Sequence, residues 1–407
     1  MSLSKNLIIN NLIYFIPIFL VFSIFLAELS ILFVAIIFIT YQIKKKEYEI
    51  FFNKYFIFFF IFWCFLLINS IFSYDPNLSL SKSLPYIRFG ILFLAISYML
   101  NFEDFKNKFL KYVFIFLTFI CLDAIIQFLF GKNLLGFESH VSRISSFFRD
   151  ELVLGGFLLK MYPLFLISII YFKKKNLLNP YLITILILIY FFSIFLSGER
   201  TAFFNFIMLN SILLIILYKS KYNKYLLLFL LIIPVIFIYI KNNNYQIAAR
   251  YLSIKEIFNN KTPIIFSKTH ENHYKSAFKI FKSYPIFGSG LKTFRYVCKK
   301  PQHNPNGCTT HPHNIFMQFL SELGIIGILF YLYAFFYFGA RLFKLFLNRF
   351  NNNNFRNETT ILTIIITSMF MSLWPFSPSG NYFNNWMSIL NFLPISFLIY
   401  FDKKTPD

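Results

Sequence analysis

The chain has 407 residues, of which 57% are hydrophobic, 22% aromatic and only 14% charged, and its formal net charge is +22. A soluble domain carries charge on about a quarter of its residues and rarely contains runs of about twenty apolar residues. The composition therefore excludes an ordinary soluble enzyme and predicts an all-α membrane protein.

Twelve apolar segments follow one another along the chain, each long enough for a helix to cross the hydrocarbon core. They cover residues 7–26, 27–43, 55–73, 84–100, 109–130, 151–172, 181–197, 201–218, 225–240, 313–339, 359–377 and 383–400. The first follows Lys5 as a signal peptide would, but it lacks a small-residue cleavage site and is expected to be retained. The predicted organisation is nine transmembrane helices in 1–240, a loop with short helices in 241–312, and three more helices with a cytoplasmic tail in 313–407.

Basic residues indicate the orientation, because short loops rich in Lys and Arg stay in the cytoplasm. Of the 39 basic residues, 20 fall on the side that holds both predicted termini. We therefore expect both termini to be cytoplasmic and the long loop to lie on the opposite side of the membrane. That loop carries twelve basic residues against Glu256 and Glu271, which favours an anionic partner such as a lipid phosphate or pyrophosphate rather than a nucleic acid. The alternative is a solvated basic surface.

Cys298 and Cys308 are ten residues apart in the long loop. An oxidising compartment would allow them to form a disulfide. A zinc site with His303 and His311 is less favoured, because the spacing fits no familiar structural zinc site. We expect neither a metal nor a cofactor.

The segment His311-Pro312-His313-Asn314 enters an apolar helix that contains Glu322. A neutral imidazole at a membrane surface can act as a general base toward a hydroxyl, and nearby cations would lower its pKa. The alternative is a histidine that only caps the helix. Glu322 lies nine residues beyond His313, about 13 Å along the helix and on the opposite face, so a buried hydrogen bond is its expected role.

Arg200 lies in a tight turn, Ser197-Gly198-Glu199-Arg200, before an apolar segment. An arginine at a helix N-terminus opposes the macrodipole unless an anion lies there, which favours phosphate binding over a pair with Glu199 or a lipid headgroup. Arg250 follows the ninth span closely, and Arg143 adds charge in the segment before residue 150.

Three further ionisable residues, Arg88, Asp123 and Lys160, fall inside spans or at their ends, where such groups are functional candidates. Snorkelling to the interface is the simpler explanation for Arg88 and Lys160, and Asp123 could pair with either. The turn Pro285-Ile286-Phe287-Gly288-Ser289-Gly290 is a weak candidate for a phosphate cradle. Gly324 and Gly327 are expected to allow a neighbouring helix to approach closely.

These motifs together resemble the O-antigen ligase and polymerase family of bacterial inner-membrane glycosyltransferases. The resemblance rests on the 285–290 turn, on His311 to Asn314 with Glu322 and the two glycines that follow it, and on the turn that ends at Arg200. It implies a twelve-helix protein with a long periplasmic loop. It also implies transfer of a glycan from undecaprenyl pyrophosphate, by the ligases to a sugar of the lipid A core.

The resemblance also assigns roles to single residues. His313 matches the essential histidine of the family, Arg200 and Arg250 match arginines that bind the pyrophosphate, and Arg143 matches a further one in a segment that departs from the family pattern. Asn314, His311 and Glu322 are expected to support the site. The predicted reaction is inverting and metal-independent. A repeat-unit polymerase, a protein O-oligosaccharyltransferase and, in another class, a flippase of lipid-linked oligosaccharide remain the alternatives.

Overall fold

The structure is a computed structural model that describes residues 7–140, 142–217, 267–351 and 357–404, together with Leu3, Leu227, Ile238 and Tyr251. Within these ranges the chain is helical, with two isolated β-bridges and no strand. The predicted all-α class is confirmed. Arg250 and most of the predicted span 225–240 lie outside the described residues.

Fourteen helices occur in the described part of the chain. They are α1 (Leu7–Phe22), α2 (Ile24–Lys45), α3 (Lys54–Ile71), α4 (Pro76–Ser83), α5 (Ile87–Met99), α6 (Glu103–Phe130), α7 (Leu154–Lys174), α8 (Pro180–Leu196), α9 (Arg200–Ile216), α10 (Lys268–Ser283), α11 (Phe294–Val297), α12 (Ile315–Asn351), α13 (Asn357–Ser372) and α14 (Asn385–Asp402).

Six helical stretches of the described chain are long and apolar enough to cross a membrane. They are α2, α3, α6, α7, the stretch Pro76–Met99 that joins α4 to α5, and residues Ile315–Asn348 of α12. Three shorter apolar helices, α1, α8 and α9, are also present. The chain is thus a multi-pass membrane protein by length and composition, and the total of twelve spans stays a prediction.

Local signals explain where several helices begin and end. The Ser23 side chain accepts a hydrogen bond from Leu26 N, which divides the apolar run at the N-terminus into α1 and α2. Asn179 caps α8 in the same way and is followed by a proline at the first helical position. Gly131, with φ of 76°, ends α6 in the left-handed conformation that glycine favours.

We call the end of the bundle that carries residues 131–153, 197–199, 267–314 and 373–384 the loop end, and the opposite end the tail end. Hydrogen bonds join these loop-end segments to one another. Arg143 Nε donates to Ser197 O at 3.3 Å, and Ser379 N donates to His313 O at 2.9 Å. The segment before α7 is therefore joined to the turn before α9, and the 373–384 segment to the end of the long loop.

Asp123 organises the segment before α7. Its carboxylate accepts hydrogen bonds from Leu134 N at 2.9 Å and from the Ser146 hydroxyl. Arg88 instead faces Glu28, with 3.7 Å between the charged groups. The expected pairing of Asp123 with Arg88 or Lys160 is therefore wrong, because local backbone and hydroxyl donors satisfy this carboxylate.

Helix α12 contains a break near its loop end. Gly324 has φ of 66°, outside the helical region, so residues 315–323 form a short helical segment that is set off from the rest of α12. The 285–290 turn docks at this break, where Ser289 N donates to Ser321 O and Gly290 N donates to Glu322 O, both at 2.9 Å. Gly324 therefore contacts the 285–290 turn. The expectation that Gly324 allows a neighbouring helix to approach closely is wrong.

Candidate active site

A cavity of about 530 Å³ opens at the loop end between α7, α9, the start of α12 and the 377–380 segment. Its described lining includes three basic residues, one acidic residue and three histidines. These are Arg143, Lys160, Arg200, Glu199, His270, His311 and His313. Chain segments far apart in sequence therefore contribute cations and imidazoles to one enclosed space.

His313 is held in an unusual backbone conformation at the rim of this cavity. Its φ is 53°, in the left-handed region that non-glycine residues rarely adopt. The Ser379 amide donates to its carbonyl, and the next residue, Asn314, is fixed as described below. A strained residue that its neighbours hold in place is a mark of functional sites.

The helix cap at this point is Asn314 and not His313. Asn314 Oδ1 accepts from Met317 N at 3.0 Å, which satisfies a free amide in the first turn of α12. Its Nδ2 donates to the carbonyls of Pro375 at 2.7 Å and Ser377 at 3.2 Å. Because Asn314 caps the helix and ties it to the C-terminal hairpin, the His313 imidazole is left for another role.

Four histidines of the loop end lie close together. The ring centroid of His313 is 4.0 Å from that of His311, 5.3 Å from that of His273 and 6.1 Å from that of His270. His273 Nδ1 is hydrogen-bonded to the Gly307 carbonyl at 2.8 Å, which fixes its ring on α10. No local signal predicts that α10 brings two of its histidines to His313, since they lie 40 residues or more before it in the sequence.

Burial lowers the pKa of three of these imidazoles, those of His270, His311 and His313. It lowers the pKa of His313 to about 4, with further contributions from His273 and His270. Burial, the adjacent His313 and a weaker effect of nearby cations lower the pKa of His311 to about 3. The pKa of His270 is lowered by burial first, then by His273 and by the Arg200 guanidinium. At neutral pH these three rings are therefore neutral, and the His313 ring can accept a proton.

The turn before α9 is built around Glu199. Its carboxylate accepts hydrogen bonds from Gly155 N at 2.7 Å and Gly156 N at 3.2 Å. A carboxylate at these amides caps the N-terminus of α7 and stabilises the helix dipole. The turn thus fixes the beginning of α7 against the beginning of α9, where Arg200 is the first helical residue and lines the cavity.

Arg143 makes several contacts with the protein itself. It donates to Leu152 O at 2.6 Å and to Ser197 O at 3.3 Å, and its guanidinium lies 3.6 Å from the Glu199 carboxylate. These contacts hold the segment before α7 against the turn before α9. Arg143 lines the cavity, as its predicted role in pyrophosphate binding requires, but much of its hydrogen-bonding capacity is engaged.

Glu322 lies on the face of α12 away from His313 and is connected to the candidate site through hydrogen bonds. Its carboxylate accepts from Gln318 Nε2 at 2.9 Å, and Gln318 in turn bonds to Asn381 Oδ1 at 2.9 Å and accepts from Tyr382 N at 3.0 Å. Glu322 is fully buried, as expected for a hydrogen-bonding role within the bundle. It links α12 to the 373–384 segment that also holds His313 and Asn314.

The 285–290 turn is a packing element and lines no part of the cavity. A Cβ added at Gly288 would overlap the backbone of Glu322, and one added at Gly324 would overlap the Ile286 carbonyl. Both glycines also have positive φ, of 74° and 66°. Because neither glycine has a side chain, the backbone of the 285–290 turn can contact the backbone of α12. The interpretation of this turn as a phosphate cradle is therefore wrong.

Cys298 and Cys308 form a disulfide, with their Cα atoms 5.1 Å apart. The bond joins the end of α11 to the segment that leads to His311. Cys298 packs in a small apolar cluster with Ala277, Ile280 and Phe294. In the part of the chain that the structure describes, histidine, cysteine, aspartate and glutamate side chains form no group of three or more that could hold a metal ion.

Residues 185–332 match the family described as O-antigen ligase. Over this segment, which is less than half of the chain, the protein is similar to the O-antigen ligase family. The segment includes Arg200, the four clustered histidines and Glu322, and it ends within α12. Arg143 and Lys160 lie before the matched segment, and the 377–380 wall of the cavity lies after it.

No curated protein shows significant sequence similarity to the chain. The O-antigen ligase family is associated with activity of the ligase or polymerase type, in a membrane setting with lipid-linked glycans.

Proposed function

We propose that this protein transfers an oligo- or polysaccharide from undecaprenyl pyrophosphate to a hydroxyl of the lipid A core, with His313 as the general base. One observation carries the proposal: a strained, neutral imidazole and the Arg200 guanidinium line the same cavity. Glycan transfer requires both groups, one to receive a proton and one to bind the anionic leaving group.

The proposed step is a single displacement at the anomeric carbon. The acceptor hydroxyl oxygen attacks that carbon and its proton passes to an imidazole nitrogen of His313, while the bond from the carbon to the phosphate oxygen breaks. The electron pair leaves with undecaprenyl pyrophosphate, and the configuration inverts. Pyrophosphate is already a good leaving group, so the protein has to orient the substrates, bind the developing charge and accept one proton.

The low pKa of His313 is compatible with this role. In the free protein the imidazole is neutral at pH 7, because burial lowers its pKa to about 4. A bound pyrophosphate would bring negative charge near the ring, which favours the protonated form and raises its pKa. The donor itself would therefore strengthen the base at the moment when it is needed.

We place the loop end in the periplasm and both termini in the cytoplasm of the bacterial inner membrane. The tail end carries Lys44, Lys45 and Lys46 at the end of α2, and Lys173 and Lys174 at the end of α7, as the cytoplasmic ends of membrane helices do. In this orientation the cavity opens where lipid-linked glycans are presented for transfer. Arg250 is proposed, with Arg200, to contact the pyrophosphate; it lies outside the described residues.

The decisive test is transfer by the purified protein in liposomes that contain a lipid-linked glycan and lipid A core. We expect a glycosylated lipid A product, detected by mass spectrometry, with an inverted anomeric configuration determined by NMR. No product with this acceptor would overturn the ligase assignment.

Deletion of the gene separates the related alternatives. Loss of all O-chain with accumulation of lipid-linked polymer indicates a ligase, whereas a core with one repeat unit indicates a polymerase. Unchanged lipopolysaccharide with unglycosylated protein indicates a protein-directed transferase. Movement of the donor across the bilayer without any transfer product would indicate a flippase.

A metal-independent reaction is part of the proposal, since arginine charge can serve the leaving group in place of a divalent ion. Treatment with EDTA should leave the initial rate unchanged. A rate that disappears with EDTA and returns with a divalent cation would contradict this part and leave glycan transfer itself in place.

A further inference from the structure

Lys160 is a basic residue of the cavity that the sequence assigned to simple snorkelling. It lies in α7 and its side chain is partly buried, among the cavity-lining residues. Within the described residues, no hydrogen bond or ion pair engages its ammonium group. This distinguishes it from Arg143, whose guanidinium contacts two carbonyls and a carboxylate.

The position of Lys160 is deep for a charged group. It is six residues beyond the first residue of α7, which corresponds to about 9 Å along the helix axis. The beginnings of α7 and α9 are in register, because Glu199 caps α7 and a Cβ on Gly155 would lie 3.3 Å from the Ala202 Cβ. Lys160 therefore lies farther into the bundle than Arg200, on an adjacent helix.

A cation at this depth needs an explanation, because an unpaired charge removed from water is costly. A lysine at the end of a helix avoids that cost by extending to the interface, as Lys174 does at the other end of α7 with 64% of its side chain exposed. Lys160 instead faces the enclosed cavity. An anionic ligand group in that cavity would supply the missing partner.

The charges of the cavity lining fit a pyrophosphate diester. Glu199 is the acidic residue of the described lining, and it is matched by Arg143 and two backbone amides. Lys160 and Arg200 are the other two cations of that lining. A pyrophosphate joined to a lipid at one end and to a sugar at the other carries two ionised phosphates. Lys160 and Arg200 would supply one cation for each phosphate.

The order of groups along the cavity sets the orientation of the ligand. Arg200 is close enough to His270 to influence it, and His270 lies beside His313. The sugar bond that breaks must lie near His313, so the sugar-side phosphate belongs near Arg200. We propose that Lys160 binds the lipid-side phosphate of the donor, deeper in the cavity. This assignment rests on the proposed function and adds a binding residue that lies before the family-matched segment.

The test measures binding instead of transfer. Purified protein in detergent micelles is titrated with farnesyl pyrophosphate and, separately, with farnesol, which has the same chain and no phosphate. In Lys160→Met we expect the dissociation constant for farnesyl pyrophosphate to rise about 10-fold or more, since a hydrogen bond to a charged group is lost. Lys160→Arg keeps the charge and should stay within about 3-fold of the unmodified protein, and farnesol binding should not change.

Lys174→Met is the matched control, because it removes a lysine from the exposed end of the same helix and should leave both dissociation constants unchanged. Melting temperatures verify that each variant folds, and Lys160→Gln replaces the methionine variant if that one does not fold. Unchanged binding of farnesyl pyrophosphate by the methionine or glutamine variant would overturn the Lys160 assignment alone. Failure of the unmodified protein to bind farnesyl pyrophosphate would overturn the proposed donor, and the two results are distinguishable.

Discussion

The two ends of the helical bundle use charge in different ways. At the tail end, Asp402 contacts Lys54 at 2.9 Å, accepts a hydrogen bond from the Tyr55 hydroxyl at 2.8 Å and pairs with Arg341. At the loop end, Arg143 pairs with Glu199, but Lys160 faces a cavity, and neutral histidines are packed against one another.

This difference separates charge that stabilises the protein from charge that is available to a ligand. The tail-end network joins α3, α12 and α14 and satisfies its cations internally. The loop end holds cations and imidazoles around an enclosed space, an arrangement that costs stability in the absence of a ligand. Sites with groups held at such a cost are candidates for function, and the following predictions test the distinction.

The largest effect is expected for His313→Ala. Removal of the general base should lower the transfer rate by about 100-fold or more, while the melting temperature stays within about 2 °C of that of the unmodified protein. The measurement is the initial rate of transfer to lipid A core in liposomes. His303→Ala serves as a control, because His303 lies outside the cavity lining. A fully active His313→Ala variant would refute the base assignment.

The next largest effect is expected at the break in α12. Gly324→Ala would place a side chain at positive φ against the Ile286 carbonyl, and should lower the free energy of unfolding by about 2 kcal/mol or more. Gly339→Ala, in the regular part of the same helix, has a nearest neighbour at 3.4 Å in Phe370 and should be neutral or slightly stabilising. Equal thermal stability of the two variants would show that the loop contact at Gly324 is not tight.

Glu199→Gln should have an intermediate effect. The amide still accepts one hydrogen bond from the start of α7, but it loses the charge that faces Arg143 and the helix dipole, with a cost of about 1 kcal/mol. Because this turn positions Arg200, we expect the KM for donor to rise more than kcat falls. Thermal unfolding and steady-state kinetics measure the two effects, and a change in kcat alone would argue against a positioning role.

The pH dependence of kcat/KM is a smaller effect that tests the pKa of His313 directly. A histidine with an ordinary pKa would lose its basic form below about pH 6.5, whereas the His313 pKa is about 4 in the free protein. The basic form is present above the pKa, so kcat/KM should stay constant from pH 8 to about pH 5 and fall only below that. A decline centred near pH 6.5 would show that the ring is more exposed to water than the structure indicates.

The smallest effect on transfer is expected at the tail end. Asp402→Asn should lower stability by about 1 kcal/mol, through loss of charge opposite Lys54 and Arg341, and should leave the KM for donor unchanged. Detergent-solubilised unfolding and transfer kinetics provide the readouts. A rise in KM comparable to that of Glu199→Gln would remove the functional distinction between the two ends.

The sequence by itself predicted the helical class, most helix positions and two residues, His313 and Arg200, that line the candidate site. Apolar runs are local signals, which is why the predicted spans 55–73, 181–197 and 383–400 fall on α3, α8 and α14. His313 and Arg200 were identifiable because each occupies a conspicuous position at a helix entrance.

Only the tertiary structure decided which distant groups meet. It brought His270 and His273 to His313, directed Asp123 to local donors, engaged Arg143 with Glu199 and turned Lys160 toward the cavity. It also showed that the glycines of the 285–290 turn serve a backbone contact. The physical reason is that these outcomes depend on packing between helices far apart in sequence, whereas periodicity and capping report only on a residue's near neighbours in the chain.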